Sequence, residues 1–193
     1  LSGMLEPVGE DYSTIETIKA TGGIRPDAHW PANEAMARAA AVVARNAGMD
    51  VLTLHAGFLP HDVDDSERAT MVGRLRTLAK ICSSEGVQLG LETGQEDADT
   101  LLAVLGEIDN ANLGINFDPA NMILYGTGEP IEALKKVGKF VRSIHCKDAT
   151  WATEGRRGLD WGCEVALGDG DVGMENYLQT LNELGYDGPL TIE

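Results

Sequence analysis

The stretch 112–122, Asn-Leu-Gly-Ile-Asn-Phe-Asp-Pro-Ala-Asn-Met, is a short apolar run that breaks into Asp118 and is stopped at once by Pro119. Proline lacks the N–H that a strand or helix interior needs, so the run reads as a buried strand delivering a carboxylate to the end of a sheet. Taken alone, an Asp-Pro pair is an ordinary turn signal. Residues 89–92, 143–145 and 190–193 are built alike, each a short run ending in a group able to ligate a metal: Glu92, His145 and Glu193.

Between these runs lie helix signals. Asn33 reads as the cap of a helix running to about Ala47 and ended by Gly48. Residues 51–55 read as a strand, and 61–65 as a polar turn that leaves His61 in solvent. A helix over 66–84 places Met71, Leu75, Leu78 and Cys82 on one face. After a strand at 87–92, Asp97 caps a helix through Leu101, Leu102 and Leu105, and a strand follows at 113–117. Pro130 suits the first turn of a helix to Val137, which feeds a strand at 140–145. The last helix spans about 174–184, before the strand at 190–193. Two stretches rich in Gly and polar residues, 6–32 and 147–173, read as long loops, which are more often functional than idle.

Short strands alternating with longer helices signal βα units and a parallel sheet. No strand is followed by GxGxxG or GxxxxGK[ST], which removes the usual reason to choose a nucleotide-binding open sheet. Polar groups at the C-terminal ends of several strands are what a TIM (β/α)8 barrel assembles into a site. The expectation is a single barrel domain over 1–193 with about six βα units, the third to the eighth. Leu1 to Leu5 read as an apolar strand with no element before them to cover it, so the chain reads as a fragment lacking the two N-terminal units.

With 43% hydrophobic residues in 193, the chain can bury one sizeable core. The absence of a long apolar run and of a secretory signal points to a cytoplasmic protein with no membrane partner. A net charge of −16 argues against nucleic acid, whose binding rests on Lys and Arg. Cys82, Cys146 and Cys163 have no CxxC spacing, so neither a disulfide framework nor a thiolate zinc site is indicated. Glu92, Asp118, His145 and Glu193 are instead a hard-ligand set that suits Mn²⁺, Mg²⁺ or Co²⁺ better than structural zinc.

The phrases Leu-His-Ala-Gly (54–57), Leu-Glu-Thr-Gly (91–94), Asn-Phe-Asp-Pro-Ala-Asn (116–121), Ile-His-Cys-Lys-Asp (144–148) and Gly-Asp-Gly-Asp-Val through Leu-Thr-Ile-Glu (168–193) resemble the sugar phosphate isomerase/epimerase family of xylose isomerase-like TIM barrels. The resemblance implies a divalent metal, Mn²⁺ first and Mg²⁺, Co²⁺ or Zn²⁺ otherwise, on Glu92, Asp118, His145 and Glu193. It also implies proton transfer by Glu92 and Glu193 on a sugar or sugar phosphate. Glutamates on opposite faces give an epimer, whereas one glutamate moving a proton between neighbouring carbons gives an isomer. His55, Asn121, Lys147 and Asp148 are the implied substrate contacts, the last two either holding hydroxyls or orienting the ligand imidazole.

Asn121 departs from the sugar epimerase pattern, where a His is common at that position. Asn can hydrogen-bond a hydroxyl but cannot shuttle a proton at neutral pH. Two readings share the scaffold with the isomerase: a keto-inositol dehydratase, and an inactive barrel that binds metal or a polyol. A zinc endonuclease is disfavoured by the four His residues and the acidic charge. The 168–172 loop offers backbone N–H groups to a phosphate, although its two aspartates oppose an anion. Trp30, Trp151 and Trp161 read as shields above the site or as loop anchors. Self-association is left open.

Overall fold

The computed structural model describes residues 1–193 in full. Seven helices are present: α1 (Ile15–Thr21), α2 (Trp30–Ala47), α3 (Ser66–Ser84), α4 (Ala98–Ile108), α5 (Pro119–Tyr125), α6 (Pro130–Val137) and α7 (Met174–Glu183). The strands are β1 (Ser2–Leu5), β2 (Val51–Leu54), β3 (Gln88–Glu92), β4 (Leu113–Phe117), β5 (Val141–Cys146), β6 (Asp148–Thr150), β7 (Cys163–Val165) and β8 (Leu190–Ile192). Six form one sheet in the order β1-β2-β3-β4-β5-β8, with every neighbouring pair parallel. β6 and β7 pair antiparallel as a separate ribbon.

This strand order decides the architecture. Crossovers of one hand that always step to the next strand put every helix on the same face, whereas a doubly wound sheet reverses direction and covers both. Here α2 packs on α3, α3 on α4, α4 on α6 and α6 on α7, one outer layer following the sheet. The sheet curls, since residues just past β1 and β8 border one common cavity. The fold is an incomplete TIM barrel of six strands with two free edges.

Strand alternation explains which residues face which way. Leu89 and Leu91 on β3, and Leu113, Ile115 and Phe117 on β4, point to the helices and are buried in the core, which also takes in Met71, Leu75, Leu78 and Cys82 from α3. The opposite phase, Gly90 and Glu92, then Gly114, Asn116 and Asp118, faces the concave side. Between β4 and β5 the register shifts: Ile115 pairs with Val141 but Asn116 pairs with Ser143, leaving Arg142 as an extra residue. A bulge of this kind re-aims side chains. Without it, Ser143 and His145 would point into the helix layer.

Several local expectations change. The 6–32 stretch contains α1, whose capping box pairs the Thr14 and Thr17 side chains with each other's backbone N–H. α2 begins at Trp30, so Asn33 lies inside it rather than capping it, and its side-chain oxygen accepts the N–H of Val8 at 2.8 Å. Pro119 does not release the chain into a loop but takes the first position of α5, the helical position where its missing N–H costs nothing. The 147–173 stretch contains β6 and β7. No helix is long and apolar enough to cross a membrane.

Candidate functional site

At the C-terminal ends of β3, β4 and β5, three ligand-type atoms converge: one each from Glu92, Asp118 and His145, all within 4.8 Å of one another. Glu92 Oε1 lies 3.2 Å and Asp118 Oδ2 3.5 Å from His145 Nδ1. All three atoms are buried and none makes a well-directed hydrogen bond, their close contacts being those between the carboxylates and the imidazole. Buried polar atoms are nearly always satisfied, and a cation held between them would satisfy all three together. The donor set, two carboxylates and an imidazole, fits a hard or borderline divalent metal.

The remaining atoms of these side chains are held in place. Asp118 is fully buried and caps α5, its Oδ1 accepting the N–H of Asn121 at 3.0 Å. Its backbone is clasped by the Thr93 hydroxyl, which accepts the Asp118 N–H and donates to the Asp118 carbonyl, both at 2.7 Å. The Asn116 amide donates to Glu92 Oε2, and its nitrogen stands 3.2 Å from His145 Nε2. Ser143 in turn donates its hydroxyl to the side-chain amide oxygen Oδ1 of Asn116. Sequence reasoning missed Asn116 and Ser143 as site residues. The alternation of Gly114, Asn116 and Asp118 was a signal for the first, whereas the second depends on the bulge.

Glu193 reaches the set from the side. Its Oε2 is 2.7 Å from His145 Nδ1 and its Oε1 3.7 Å from Lys147 Nζ, but it stands outside the compact trio. β8 pairs only with β5, and the Glu193 side chain is 46% exposed against 1% for Glu92. Burial raises the Glu92 carboxyl above the ordinary range, with the nearby imidazole opposing the rise. The carboxylates around His145 outweigh its own desolvation and push its imidazole up to about 10, as expected of an acidic nest that calls for positive charge.

The site opens into a cavity of about 590 Å³, bordered by Glu92, His145 and Glu193 together with His55, Asn121 and Lys147. His55 is buried with its Nδ1 unpartnered, and burial drives its imidazole down to about 4, so it stays neutral. Tyr125 and Trp161 form an aromatic wall, edge to face at 4.8 Å. Trp161 therefore does stand at the site, whereas Trp30 opens α2 and Trp151 lies under the Arg157 guanidinium at 4.1 Å. His61 is 70% exposed at its side chain, with Nε2 3.3 Å from Glu96 Oε2.

Asp148 corrects an expectation. It is 1% exposed and does not border the cavity; its carboxylate accepts the N–H groups of Gly168 (2.9 Å), Gly170 (3.1 Å), Val172 (3.2 Å) and its neighbour Ala149 (3.0 Å). The Gly168, Gly170 and Val172 N–H groups belong to the loop that the sequence offered to a phosphate. An internal carboxylate occupies the nest, and a Cβ on Gly170 would collide with it. Neither Asp148 contact with substrate hydroxyls nor phosphate binding at 168–172 fits this arrangement.

A family model for the xylose isomerase-like TIM barrel matches residues 20–193. The chain belongs to that family. A xylose isomerase domain protein from Planctomyces limnophilus is 48% identical, with a TM-score of 0.96 over 100% of this chain and 68% of that one. A D-tagatose 3-epimerase-like protein superposes with a TM-score of 0.75 at 21% identity, covering 100% of this chain and 69% of its own. A xylose isomerase-like TIM barrel protein from Mycobacterium smegmatis in complex with magnesium gives 0.72 at 23%, covering 89% and 63%. At those identities the last two show the fold alone. An uncharacterised protein of Methanocaldococcus jannaschii is 26% identical over 159 residues, 75% of this chain, so the chain spans about half the length of that curated relative. Within this xylose isomerase-like barrel, the expected site residues other than Asp148 gather at one end of the sheet.

Proposed function

We propose that this chain carries the metal-holding and proton-transferring part of a divalent-cation-dependent isomerase or epimerase of a sugar or sugar phosphate. The observation that carries the reading is the convergence of three buried ligand atoms, none in a well-directed hydrogen bond, from adjacent strands beneath a polar cavity. The epimerase-like and magnesium-holding relatives support the same class. Glu92, Asp118 and His145 hold the cation, with Glu193 as the fourth, more exposed ligand; Mn²⁺ is the first candidate, with Mg²⁺, Co²⁺ and Zn²⁺ able to take the same donors.

When bound, the cation supplies Lewis-acid polarisation of a carbonyl and its neighbouring hydroxyl, which acidifies the adjacent C–H. Glu193, which borders the cavity, takes or returns the carbon-bound proton in this reading. Lys147 Nζ, near both Glu193 and Glu164 (3.1 Å to the latter), offers a donor to a substrate oxygen. Glu92 is the second proton carrier, oriented by the Asn116 amide. Neutral His55 and the Asn121 amide bind hydroxyls and so fix the carbon relative to the two glutamates.

The test is solvent exchange. Metal-loaded protein incubated with a panel of ketoses in D₂O should place deuterium on the carbon beside the carbonyl, as read by NMR, and Glu193→Gln should lower that rate by at least about a hundredfold, as loss of a positioned acid–base group does. Exchange at no carbon of any ketose refutes the proton-transfer reading.

A further inference from the structure

The cavity mouth carries two carboxylates that the proposed chemistry does not use. Met4 lies opposite Thr53 in register, so Glu6, two residues further on, shares the phase of His55 and borders the cavity, exposed. Glu10 borders it as well and is fixed: its Oε1 accepts the N–H of Gly23 at 2.7 Å and its Oε2 accepts the Tyr12 hydroxyl at 3.0 Å. Burial raises the Glu10 carboxyl, and the Glu6 charge adds in the same direction, as expected of two acids sharing one rim.

We propose that Glu6 and Glu10 form an anion filter that confines the cavity to uncharged polyhydroxylated ligands and excludes phosphate esters. The inference rests on the sugar-converting reading above and narrows its substrate class. Five carboxylates, those of Glu6, Glu10, Glu92, Asp118 and Glu193, stand in the cavity or against its floor. They outnumber the Lys147 ammonium and the two charges of a bound cation. No arginine borders the cavity, and Lys147 already faces Glu164 and Glu193. The backbone nest that could have cradled a phosphate is filled by Asp148. A phosphate dianion entering past the rim therefore meets repulsion from several sides, without the Arg or free N–H groups that normally hold it.

A neutral polyol meets the opposite situation. Ionised carboxylates accept hydrogen bonds and donate none, so they suit a ligand rich in hydroxyl donors. His55, whose buried Nδ1 has no partner, borders the same space. Trp161 and Tyr125 offer an apolar wall to the carbon-bound face of such a ligand, as aromatic side chains with an exposed edge do.

Binding, rather than turnover, tests this. With magnesium-loaded full chain, calorimetric titration should give D-tagatose 6-phosphate a Kd at least about tenfold weaker than D-tagatose, a gap that shrinks in 0.5 M NaCl because exposed charges are screened. Glu6→Gln, at an exposed position with no hydrogen-bond partner, should reduce the ratio of the two Kd values by about threefold, and Glu6→Lys should reduce it further. Glu10→Gln provides a second reading at the fixed carboxylate. An ester that binds as tightly as the free ketose, a ratio insensitive to salt and to all three substitutions, or binding of neither sugar would each overturn the filter. If the selectivity holds while no ketose exchanges deuterium, the filter stands and the isomerase reading fails; exchange on the ester alone has the reverse consequence.

Discussion

Glu92 and Glu193 both follow strands of the same sheet, yet the centre and the edge of that sheet hold them differently. β3 lies between β2 and β4, and its glutamate is 1% exposed with one oxygen fixed by Asn116. β8 has a neighbour on one side only, and Leu190 and Ile192 on it are 48% and 75% exposed. The centre holds the Glu92, Asp118 and His145 atoms within 4.8 Å of one another because strands, cap and amide network all fix those side chains. At the edge the Glu193 side chain is 46% exposed.

The largest expected effect breaks this contrast most directly. Asp118→Asn preserves the α5 cap, since Asn caps helices as well as Asp does, and so removes a ligand charge without removing the fold. Its metal affinity should fall by more than the roughly 10–100-fold that partners behind a ligand typically contribute, with the melting temperature of the metal-free protein little changed. Glu193→Gln should lose far less affinity under the same calorimetric titration. Equal losses at the two positions would mean that centre and edge hold the metal alike.

The second effect concerns the edge's own support. The 147–173 segment, carrying Lys147, Trp161 and Glu164, is tied down in part by the Asp148 carboxylate and its backbone donors. Asp148→Asn keeps one acceptor oxygen and turns an NH₂ toward N–H groups. The loss of charge-assisted bonds should cost about 3 kcal/mol, seen in urea unfolding, and should speed proteolysis within 153–170. Unchanged protease sensitivity would show that the segment is anchored elsewhere, for instance through the packing of α5 against β6 and β7.

The contrast between centre and edge also marks what the sequence could reveal. Strands and long helices came from period and caps: 113–117 and 130–137 are read to the residue, because Pro119 and Pro130 punctuate them. The Glu92, Asp118 and His145 grouping was legible because a parallel sheet brings strand ends together. The extra residue at Arg142 was not legible, since a bulge is set by pairing between strands distant in sequence. Asp148 was misassigned for the same reason: its partners lie 20 to 24 residues away in a loop whose glycines read equally well as a phosphate cradle. α1 was overlooked because a seven-residue helix shows little periodicity, although its Thr14 and Thr17 pair lay in view.

The smallest effect returns to the centre, one loop beyond Glu92. Glu96 is 4% exposed, with Oε1 accepting the Leu59 N–H at 2.5 Å and Oε2 unpartnered apart from His61 Nε2 at 3.3 Å. Burial pushes its carboxyl up to about 8 from 4.5. Between those values the folded chain holds a proton that the unfolded chain has released, so stability is lost as pH rises from about 4.5 through about 8. Water entering the loop on ionisation and the nearby imidazole limit the cost, which we place at about 1–2 kcal/mol. Glu96→Gln removes the titration while keeping the acceptor for Leu59. Urea unfolding should therefore give nearly equal stabilities for the two proteins near pH 5 and a more stable variant at pH 9. Parallel stability curves across that range would mean that Glu96 is already ionised in the fold, and that the centre of this barrel tolerates buried charge away from the metal-type ligands as well as among them.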